Sequence, residues 1–417
     1  MKSKILVFAF LFSAFACSST SPQGDGSVSQ VMVGDNKLSA LLLNKVKSGT
    51  VTIPLSSLVE DFEIVQLEMH EDAIFRPTTN ITVTEKYIGI RPISDNYKLF
   101  DRSGKFLCTL GKRGRGPGEF SSSLSDDLID DKNGIVYLLA DYSSKIFVYN
   151  TSGQFLKELS VPQKLISPKL FLSDDFLTVV HVPHDIQEPR PGQRAISEAD
   201  AILFQFNINS GELLEKIAPP FEHLKARSYG SFSSSTRNLP GVFDFLPTYQ
   251  LSAQYDTLYH IDVKRKKFFP FFTVKYDNLP LFANTQSKPR FYPLNKNLML
   301  TATLDRTKEK ISGWMIPSEI ILSDLISKTS SRVKIVNDYL GHKDLMLSHN
   351  IWQFSNGYYV DSIQPEDLMM YIEECLAEIS HSASDKEKLK KILSSIQEGT
   401  NNVVFIGKLT EELTNLW

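Results

Sequence analysis

The residues best suited to bind a charged ligand lie in a glycine-rich segment, Gly111 to Phe120, which carries Lys112, Arg113 and Arg115. Its four glycines allow positive φ, and guanidinium groups beside free backbone N–H groups could bind a phosphate or a carboxylate. The segment lacks the Gly-Lys-Ser/Thr end of a phosphate-binding loop, and no helical pattern follows it. The alternative is a rigid connector with solvated charges, in which Glu119 caps loop N–H groups.

The densest group of metal-ligand residue types is His181, His184 and Asp185. A metal site needs neutral imidazoles and at least one further converging donor, and the prolines around this group indicate an irregular loop that disfavours fixed geometry. The acidic pairs Asp126-Asp127 and Asp130-Asp131 are expected in turns, where Asp bonds backbone N–H groups. Turn carboxylates and carbonyls could hold calcium. We predict no cofactor, with structural or channel calcium as an option.

Recognisable catalytic patterns are absent from the sequence, which contains neither Gly-x-Ser-x-Gly nor His-Glu-x-x-His. Aromatic residues gather instead between positions 221 and 249, and Tyr229 is among them. Aromatic faces beside polar donors often hold sugar or peptide ligands. The alternative is that these rings cover outer surfaces of the fold.

Three repeated hairpins must position these residues. Each has an apolar strand, a polar turn with a glycine and a second apolar strand, and the turn glycines are Gly104, Gly153 and Gly211. They lie 49 and 58 residues apart, and periods of roughly 40–50 residues with several strands each are typical of β-propeller blades. In the second repeat we predict a turn at 130–134, a strand at 135–140, a turn at 141–144 and a strand at 145–150.

That second repeat, with Asp141 at its turn, closely resembles an NHL repeat. The block from Leu99 to Phe120 resembles the signature of the six-bladed β-propeller lipoproteins common in Bacteroidetes. This resemblance covers roughly residues 50 to 410 and implies an all-β, six-bladed propeller over 50–417. A closed ring hides its strand edges, so an N-terminal strand should complete the last blade with the C-terminal chain.

Near the C-terminus the apolar period changes from two to about 3.6. Apolar residues form one stripe between Glu366 and Ile379, and Ser384 to Glu387 fits a capping box for a second helix. We therefore predict a helical hairpin inserted at about 365–398, before the closing strand.

The N-terminus has the pattern of a bacterial lipoprotein signal peptide over residues 1–16. Lys2 and Lys4 precede an apolar run that is too short to span a bilayer, and small residues lead to Cys17. We predict that Cys17 is lipidated and that residues 17–49 form a flexible tether. The alternative is an ordinary secretory signal with a chance cysteine. The expected location is the outer membrane, with the leaflet left open.

The composition agrees with a large envelope protein. The net charge of −3 gives no reason to expect nucleic acid as a partner. Cys108 and Cys375 are expected as small buried apolar groups, and the alternative is a disulfide between them, which no spacing supports. We expect a non-enzymatic binding or interaction module, possible ligands being glycans, peptides or a partner protein. The alternative is a metal-dependent propeller lyase or hydrolase acting in the channel. The expected ligand site is the channel mouth bordered by 112–119, 141–144 and 229–249.

Overall fold

The computed structural model of the chain describes most of its residues. These are 25–75, 80–92, 95–140, 143–162, 165, 168–173, 175–180, 203–217, 234–239, 242–246, 255–262, 267–275, 289–304, 317–341, 343–344, 354–377 and 382–410. Over these ranges the chain is mostly β-strand and forms a six-bladed β-propeller, as predicted.

The first half of the chain supplies four N-terminal strands, blades 1 to 3 and a short strand pair between blades 1 and 2. The N-terminal strands are β1 (Val28–Val33), β2 (Asn36–Leu42), β3 (Thr50–Pro54) and β4 (Val59–Gln66). Blade 1 consists of β5 (Asn80–Val83), β6 (Tyr87–Arg91), β7 (Tyr97–Asp101) and β8 (Phe106–Leu110). The short pair is β9 (Lys112–Arg113) and β10 (Glu119–Phe120). Blade 2 consists of β11 (Leu124–Asp130), β12 (Ile135–Ala140), β13 (Lys145–Asn150) and β14 (Phe155–Ser160). Blade 3 consists of β15 (Lys169–Ser173), β16 (Phe176–Val180), β17 (Leu203–Asn207) and β18 (Leu213–Ile217).

The second half supplies blades 4 to 6. Blade 4 consists of β19 (Ser234–Thr236), β20 (Val242–Leu246), β21 (Tyr255–Asp262) and β22 (Lys267–Lys275). Blade 5 consists of β23 (Arg290–Pro293), β24 (Leu298–Leu304), β25 (Pro317–Asp324) and β26 (Thr329–Asn337), followed by β27 (Lys343–Asp344). Blade 6 contains β28 (Phe354–Ser355), β29 (Tyr358–Ile363) and β30 (Val403–Leu409), and its fourth strand is β4.

The apolar residues of a central strand pack against both neighbouring blades. In β12, Val136 and Leu138 belong to the core shared with blade 1, whereas Tyr137 and Leu139 belong to the core shared with blade 3. Successive side chains of a strand point to opposite faces, and here both faces are covered. This is why Ile135–Ala140 is a continuous apolar run rather than an alternating one.

The three predicted hairpin turns are present, and each depends on its glycine. Gly104, Gly153 and Gly211 have φ values of 88°, 94° and 73°. Residues with a side chain rarely adopt such values. At Gly104 a Cβ atom would also lie 2.4 Å from the backbone oxygen of Gln66. The turn of blade 1 therefore packs directly on β4 of blade 6.

The ring is closed by the N-terminal chain, as predicted. Strand β30 pairs antiparallel with β4, from Val403 opposite Gln66 to Leu409 opposite Val59. The N-terminal chain also adds β2 in parallel to β22 of blade 4 and β3 in parallel to β26 of blade 5. Three consecutive blades thus have their outer edges covered by one continuous segment.

This arrangement differs from the flexible tether expected over residues 17–49. Residues 28–42 form the β1–β2 hairpin, and Ala40 and Leu41 are fully buried against blade 4. The Ser- and Gly-rich composition upstream concealed the alternating pattern of Val28–Val33. The segment is held because its apolar side chains and its strand edge both find partners.

Two helices lie between β29 and β30, at the predicted position: α1 (Pro365–Ala377) and α2 (Ala383–Ser395). Leu368, Ile372 and Cys375 of α1 are buried in the core of blades 5 and 6. The helix cap of α2 is Ser382, which accepts a hydrogen bond from the N–H of Asp385, and not Ser384 as predicted. Both positions fit the same capping pattern. Neither helix is long and apolar enough to cross a membrane, within the part of the chain described.

Both cysteines of the described ring are free thiols. Cys375 is buried and its Sγ lies 3.5 Å from the carbonyl oxygen of Leu340. Burial raises the pKa of Cys108 to about 11. The Cys108 thiol is therefore protonated at neutral pH. Cys375 is buried, as expected from the sequence, whereas Cys108 is half-buried.

Candidate functional site

The inner strands of the blades turn one unpaired edge toward the central channel, and side chains satisfy part of it. On β15 the N–H of Leu170 donates to the Asp126 carboxylate at 2.7 Å, and the carbonyl oxygen of Leu170 accepts from Arg237. Buried backbone groups must find such partners. The channel is therefore bounded by strand edges and by the polar side chains that bond them.

Arg237 is the central cation of this network. It follows β19 of blade 4, and its guanidinium lies 3.1 Å from the carboxylate of Asp126 in blade 2. Its Nε donates to Asn356 of blade 6 at 2.8 Å, and Lys169 of blade 3 lies 3.5 Å from the same carboxylate. One guanidinium thus joins four blades through charge-assisted hydrogen bonds.

The next residue, Asn238, extends the network to blade 5. Its amide donates to the carbonyl oxygens of Pro293 at 3.0 Å and Phe354 at 3.2 Å, and its oxygen accepts from the N–H of Gly357 at 3.0 Å. All of these partners are buried or half-buried. The Arg237-Asn238 pair therefore fixes the positions of blades 2 to 6 around the axis.

The charges of the network alter the pKa of its buried groups. Burial alone would raise the pKa of Asp126, but the positive charges of Arg237 and Lys169, and the N–H of Leu170, lower it below its ordinary value. Burial lowers the pKa of Lys169, and this outweighs the attraction of Asp126. Asp126 is therefore an anion at neutral pH.

A second buried carboxylate, Asp127, lies on the opposite face of β11. It accepts from Nε of Arg91 at 2.9 Å and from the hydroxyl of Tyr97 at 2.8 Å. Burial, and then the charge of Asp127, raise the pKa of Tyr97 well above its usual value. Gly89 makes room for this ring, because a Cβ atom there would lie 1.7 Å from the Tyr97 hydroxyl.

A cavity of about 360 Å³ lies in the channel beside this network. Blades 1, 2, 3, 4 and 6 all contribute to its wall, which combines apolar and polar groups. The lining residues are Thr82, Val83, Thr84, Glu85, Asp127, Leu128, Ile129, Asp131, Phe171, Leu172, Arg237, Leu239, Asn356 and Tyr358. Its size lies at the low end of small-ligand sites, which run from about 300 to 1,000 Å³.

The polar groups of the cavity mouth come from the first turns of blades 1 and 2. Asp131 accepts from the Thr84 hydroxyl at 2.7 Å and from the Lys86 N–H at 3.2 Å, and Glu85 is exposed beside them. The Lys86 ammonium donates to the backbone oxygen of Asp131 at 3.0 Å. The mouth therefore carries two carboxylates and one ammonium group.

Tyr358 forms the blade 6 side of the mouth. Its ring lies 5.8 Å from the guanidinium of Arg102, which bonds Glu63 at 2.8 Å. Burial raises the pKa of Tyr358, the charge of Arg102 opposes this, and the carboxylates of Glu85 and Asp131 add to it. The phenol is therefore neutral at physiological pH and lies within the field of both mouth carboxylates.

The glycine-rich loop lies elsewhere and does not line this cavity. Lys112, Arg113 and Arg115 are exposed, and Lys112 lies 3.2 Å from the Glu119 carboxylate. The prediction that Glu119 caps loop N–H groups is confirmed, because it accepts from Gly116 at 2.8 Å. This loop is a connector between blades 1 and 2, and its basic groups stay predicted ligand contacts that are separate from the cavity.

The other residues predicted for the site lie outside the described ranges. These are Asp141, Tyr229, the possible metal ligands His181, His184 and Asp185, and the lipidation site Cys17. Among the described residues, no group of three His, Cys, Asp or Glu side chains could hold a metal ion.

The expectation that Asp126 and Asp127 lie in a turn is wrong. Both lie inside β11, and each is 1% exposed. Asp is depleted in strands, so the acidic pair concealed a strand whose signal is the apolar residues around it. A second missed signal was Asn356-Gly357, which has φ values of 56° and 80° and is the residue pair most typical of a tight hairpin.

Comparison with solved structures finds similar chains. An exported protein of Bacteroides fragilis, described as such on provisional grounds, has a TM-score of 0.55 at 13% identity, over 87% of this chain and 98% of that one. A member of the DUF4221 family from Bacteroides vulgatus has a TM-score of 0.43 at 10% identity, over 85% of this chain and 98% of that one. No curated protein matches the chain significantly. The family described as "Domain of unknown function (DUF4934)" matches residues 42–408, and the chain belongs to this family.

Proposed function

We propose that this chain is an exported, membrane-anchored binding protein that takes a small glycan or peptide into its central channel. The observation that carries the proposal is the cavity of about 360 Å³ bounded by five blades. Ligand sites in proteins are concave, mostly apolar and equipped with a few fixed polar groups. The channel cavity has this character, with Phe171, Leu172 and Leu239 beside Arg237 and Asn356.

The fixed geometry of the polar groups favours binding. Arg237 is held by Asp126 and Asn356, and Asp127 is held by Arg91 and Tyr97. A side chain that is already held in place loses little conformational entropy when a ligand arrives. The ring thus offers a preformed site rather than one that must be assembled.

The proposed address rests on the N-terminal sequence. Lys2 and Lys4, the apolar run after them and Cys17 fit a lipoprotein signal, and the Bacteroides fragilis protein of similar fold is described as exported. Acyl chains on one cysteine add about 0.8 kcal/mol for each buried CH₂. In a Cys17→Ser variant we expect the protein to leave the membrane fraction. Continued full membrane association of the variant would contradict this address.

The binding site can be tested with a cavity-filling substitution. The lipid-free chain is screened by calorimetry against soluble oligosaccharides and short peptides, and any hit is measured again with Leu172→Trp. Leu156→Trp is the matched control, because Leu156 is 44% exposed on β14 and is not among the cavity residues. We expect Leu172→Trp to abolish binding and the control to retain it.

Two results would contradict the proposal. Equal affinity of Leu172→Trp and Leu156→Trp for the ligand would mean that the ligand binds outside the channel. One divalent ion held tightly by each purified chain, lost on Leu172→Trp, would instead favour a metal-dependent lyase or hydrolase.

A further inference from the structure

We infer that the channel ligand is a short peptide in extended conformation, paired with the inner edge of β15 at Leu172 and with its amino terminus at the cavity mouth. This inference rests on the proposed function and names its ligand class. It is carried by three features of the described residues: the direction of the β15 backbone groups, the apolar wall, and the charges of the mouth.

The backbone of β15 already bonds channel groups in the manner of a paired strand. Leu170 donates its N–H to Asp126 and accepts from Arg237 through its carbonyl oxygen, so both groups point away from β16. Backbone groups alternate in direction along a strand, so those of Leu172 also point into the channel. Leu172 lines the cavity, and no described side chain bonds its N–H or carbonyl oxygen.

A second strand edge borders the same cavity. The N–H of Thr84 donates to the carbonyl oxygen of Tyr87 across the β5–β6 turn, so the backbone groups of Val83 point the other way, into the channel. Val83 also lines the cavity. The wall therefore presents amide donors and acceptors on the edges of blades 1 and 3.

An extended peptide matches these edges better than a sugar does. A residue opposite Leu172 can exchange two hydrogen bonds with it, one donated and one accepted, as in added-strand recognition. Phe171 and Leu239, each 8% exposed, supply apolar contact for a side chain. Sugar hydroxyls lack the fixed spacing of the C=O and N–H groups of a peptide.

The mouth favours a positively charged end. Glu85 and Asp131 carry two negative charges against the one ammonium of Lys86. Inside the cavity Arg237 is paired with Asp126. A free amino terminus therefore gains attraction at the mouth, whereas a carboxylate there is repelled.

The test compares chemically matched ligands on the full lipid-free chain. The probes are soluble tri- and tetrapeptides, the same peptides acetylated at the amino terminus, the same peptides methylated at their backbone nitrogens, and an oligosaccharide panel. Losing one such hydrogen bond, or the charge attraction at the mouth, should weaken binding about fivefold for each modification. Glu85→Gln should weaken the free peptides and leave the acetylated ones unchanged.

A protein variant tests the edge of β15 directly. Leu172→Pro removes the N–H that points into the channel and keeps the ladder to β16, which proline allows on a strand edge. Leu172→Ala removes the same side chain and keeps the N–H. We expect Leu172→Pro to bind peptide about fivefold more weakly than Leu172→Ala. Circular dichroism checks that both variants are folded. If a variant is not folded, the methylated peptides test the same hydrogen bonds on the parent protein.

The outcomes separate this inference from the proposed function. Oligosaccharide binding that Leu172→Trp abolishes, without peptide binding, would leave the proposed function standing and overturn the peptide. Peptide binding whose affinity is unchanged by both methylation and acetylation would overturn the edge pairing. Absence of any binding would overturn both.

Discussion

Removing the guanidinium of Arg237 should destabilise the ring and do so mainly at neutral pH. In an Arg237→Met variant, the direct partners left to Asp126 among the described residues are Lys169, at 3.5 Å, and the N–H of Leu170. Asp126 is 1% exposed, and removing one partner of a buried ion pair costs about 3–5 kcal/mol. Because Lys169 remains, we expect the lower end, about 3 kcal/mol.

This free energy converts into a measurable shift of the melting temperature. A chain of 417 residues has an unfolding entropy of about 0.9 kcal/mol per kelvin, so a loss of about 3 kcal/mol lowers the Tm by about 3–4 °C. The control is Lys145→Met, whose ammonium is paired with Glu158 but 51% exposed. Exposed pairs contribute about 0–1 kcal/mol, so the control should melt within about 1 °C of the parent protein.

The pH dependence identifies the cause. The pKa of Asp126 is lowered in the folded protein, so the ion pair stabilises the fold above the unfolded-state pKa of about 3.9 and is lost as the pH falls through the folded-state value. The Tm difference between parent and Arg237→Met should therefore be full at pH 7 and shrink as the medium is acidified below about pH 4. Asp126→Asn should restore part of the stability of Arg237→Met.

Calorimetric melts of the four proteins at several pH values measure these effects. A Tm of Arg237→Met equal to that of Lys145→Met would refute the argument that the buried pair holds the channel. A deficit that stays constant down to pH 3 would refute the role of the Asp126 charge.

Two further predictions concern packing. Gly89→Ala should lower the free energy of unfolding by about 1–3 kcal/mol, because the new Cβ atom collides with the Tyr97 hydroxyl. Gly49→Ala is the control and should change it little, because nothing lies within 4 Å of the new Cβ atom. Urea unfolding compares the two variants, and equal midpoints would contradict the clash. Leu41→Ala should cost about 2–5 kcal/mol because Leu41 is fully buried, whereas Met32→Ala, at a position 58% exposed, should be near neutral. Equal melting temperatures of Leu41→Ala and Met32→Ala would contradict the packing of this segment on the ring and support the flexible tether predicted from the sequence.

The blade order was predictable because its signals are local. Each glycine turn, such as that at Gly104, lies within a few residues of the strands it joins, and the α1–α2 hairpin shows its own period. The channel network has no such signal. Arg237 and Asp126 are 111 residues apart, and neither sits in a pattern that indicates a partner.

The N-terminal strands were missed for a related reason. Composition favoured a linker over residues 17–49, and the parallel pairing of β2 with β22 depends on an edge more than 200 residues away. In the glycine-rich loop, Glu119 accepts from the N–H of Gly116, while ligand binding by the basic residues of this loop stays a prediction. Local chemistry was therefore right about the capping, while the cavity depended on contacts between blades.

The covering of blades 4, 5 and 6 by the first strands has a consequence for how the chain folds. Arg332 donates to the carbonyl oxygen of Val46, 286 residues away in the sequence. Strand β4 pairs with β30, which is more than 300 residues away. Segments made first are thus among the last to find their places, and contacts of such long sequence separation form slowly. A chain that leaves the ribosome or crosses a membrane from its N-terminus therefore keeps β4 without its partner until β30 is available.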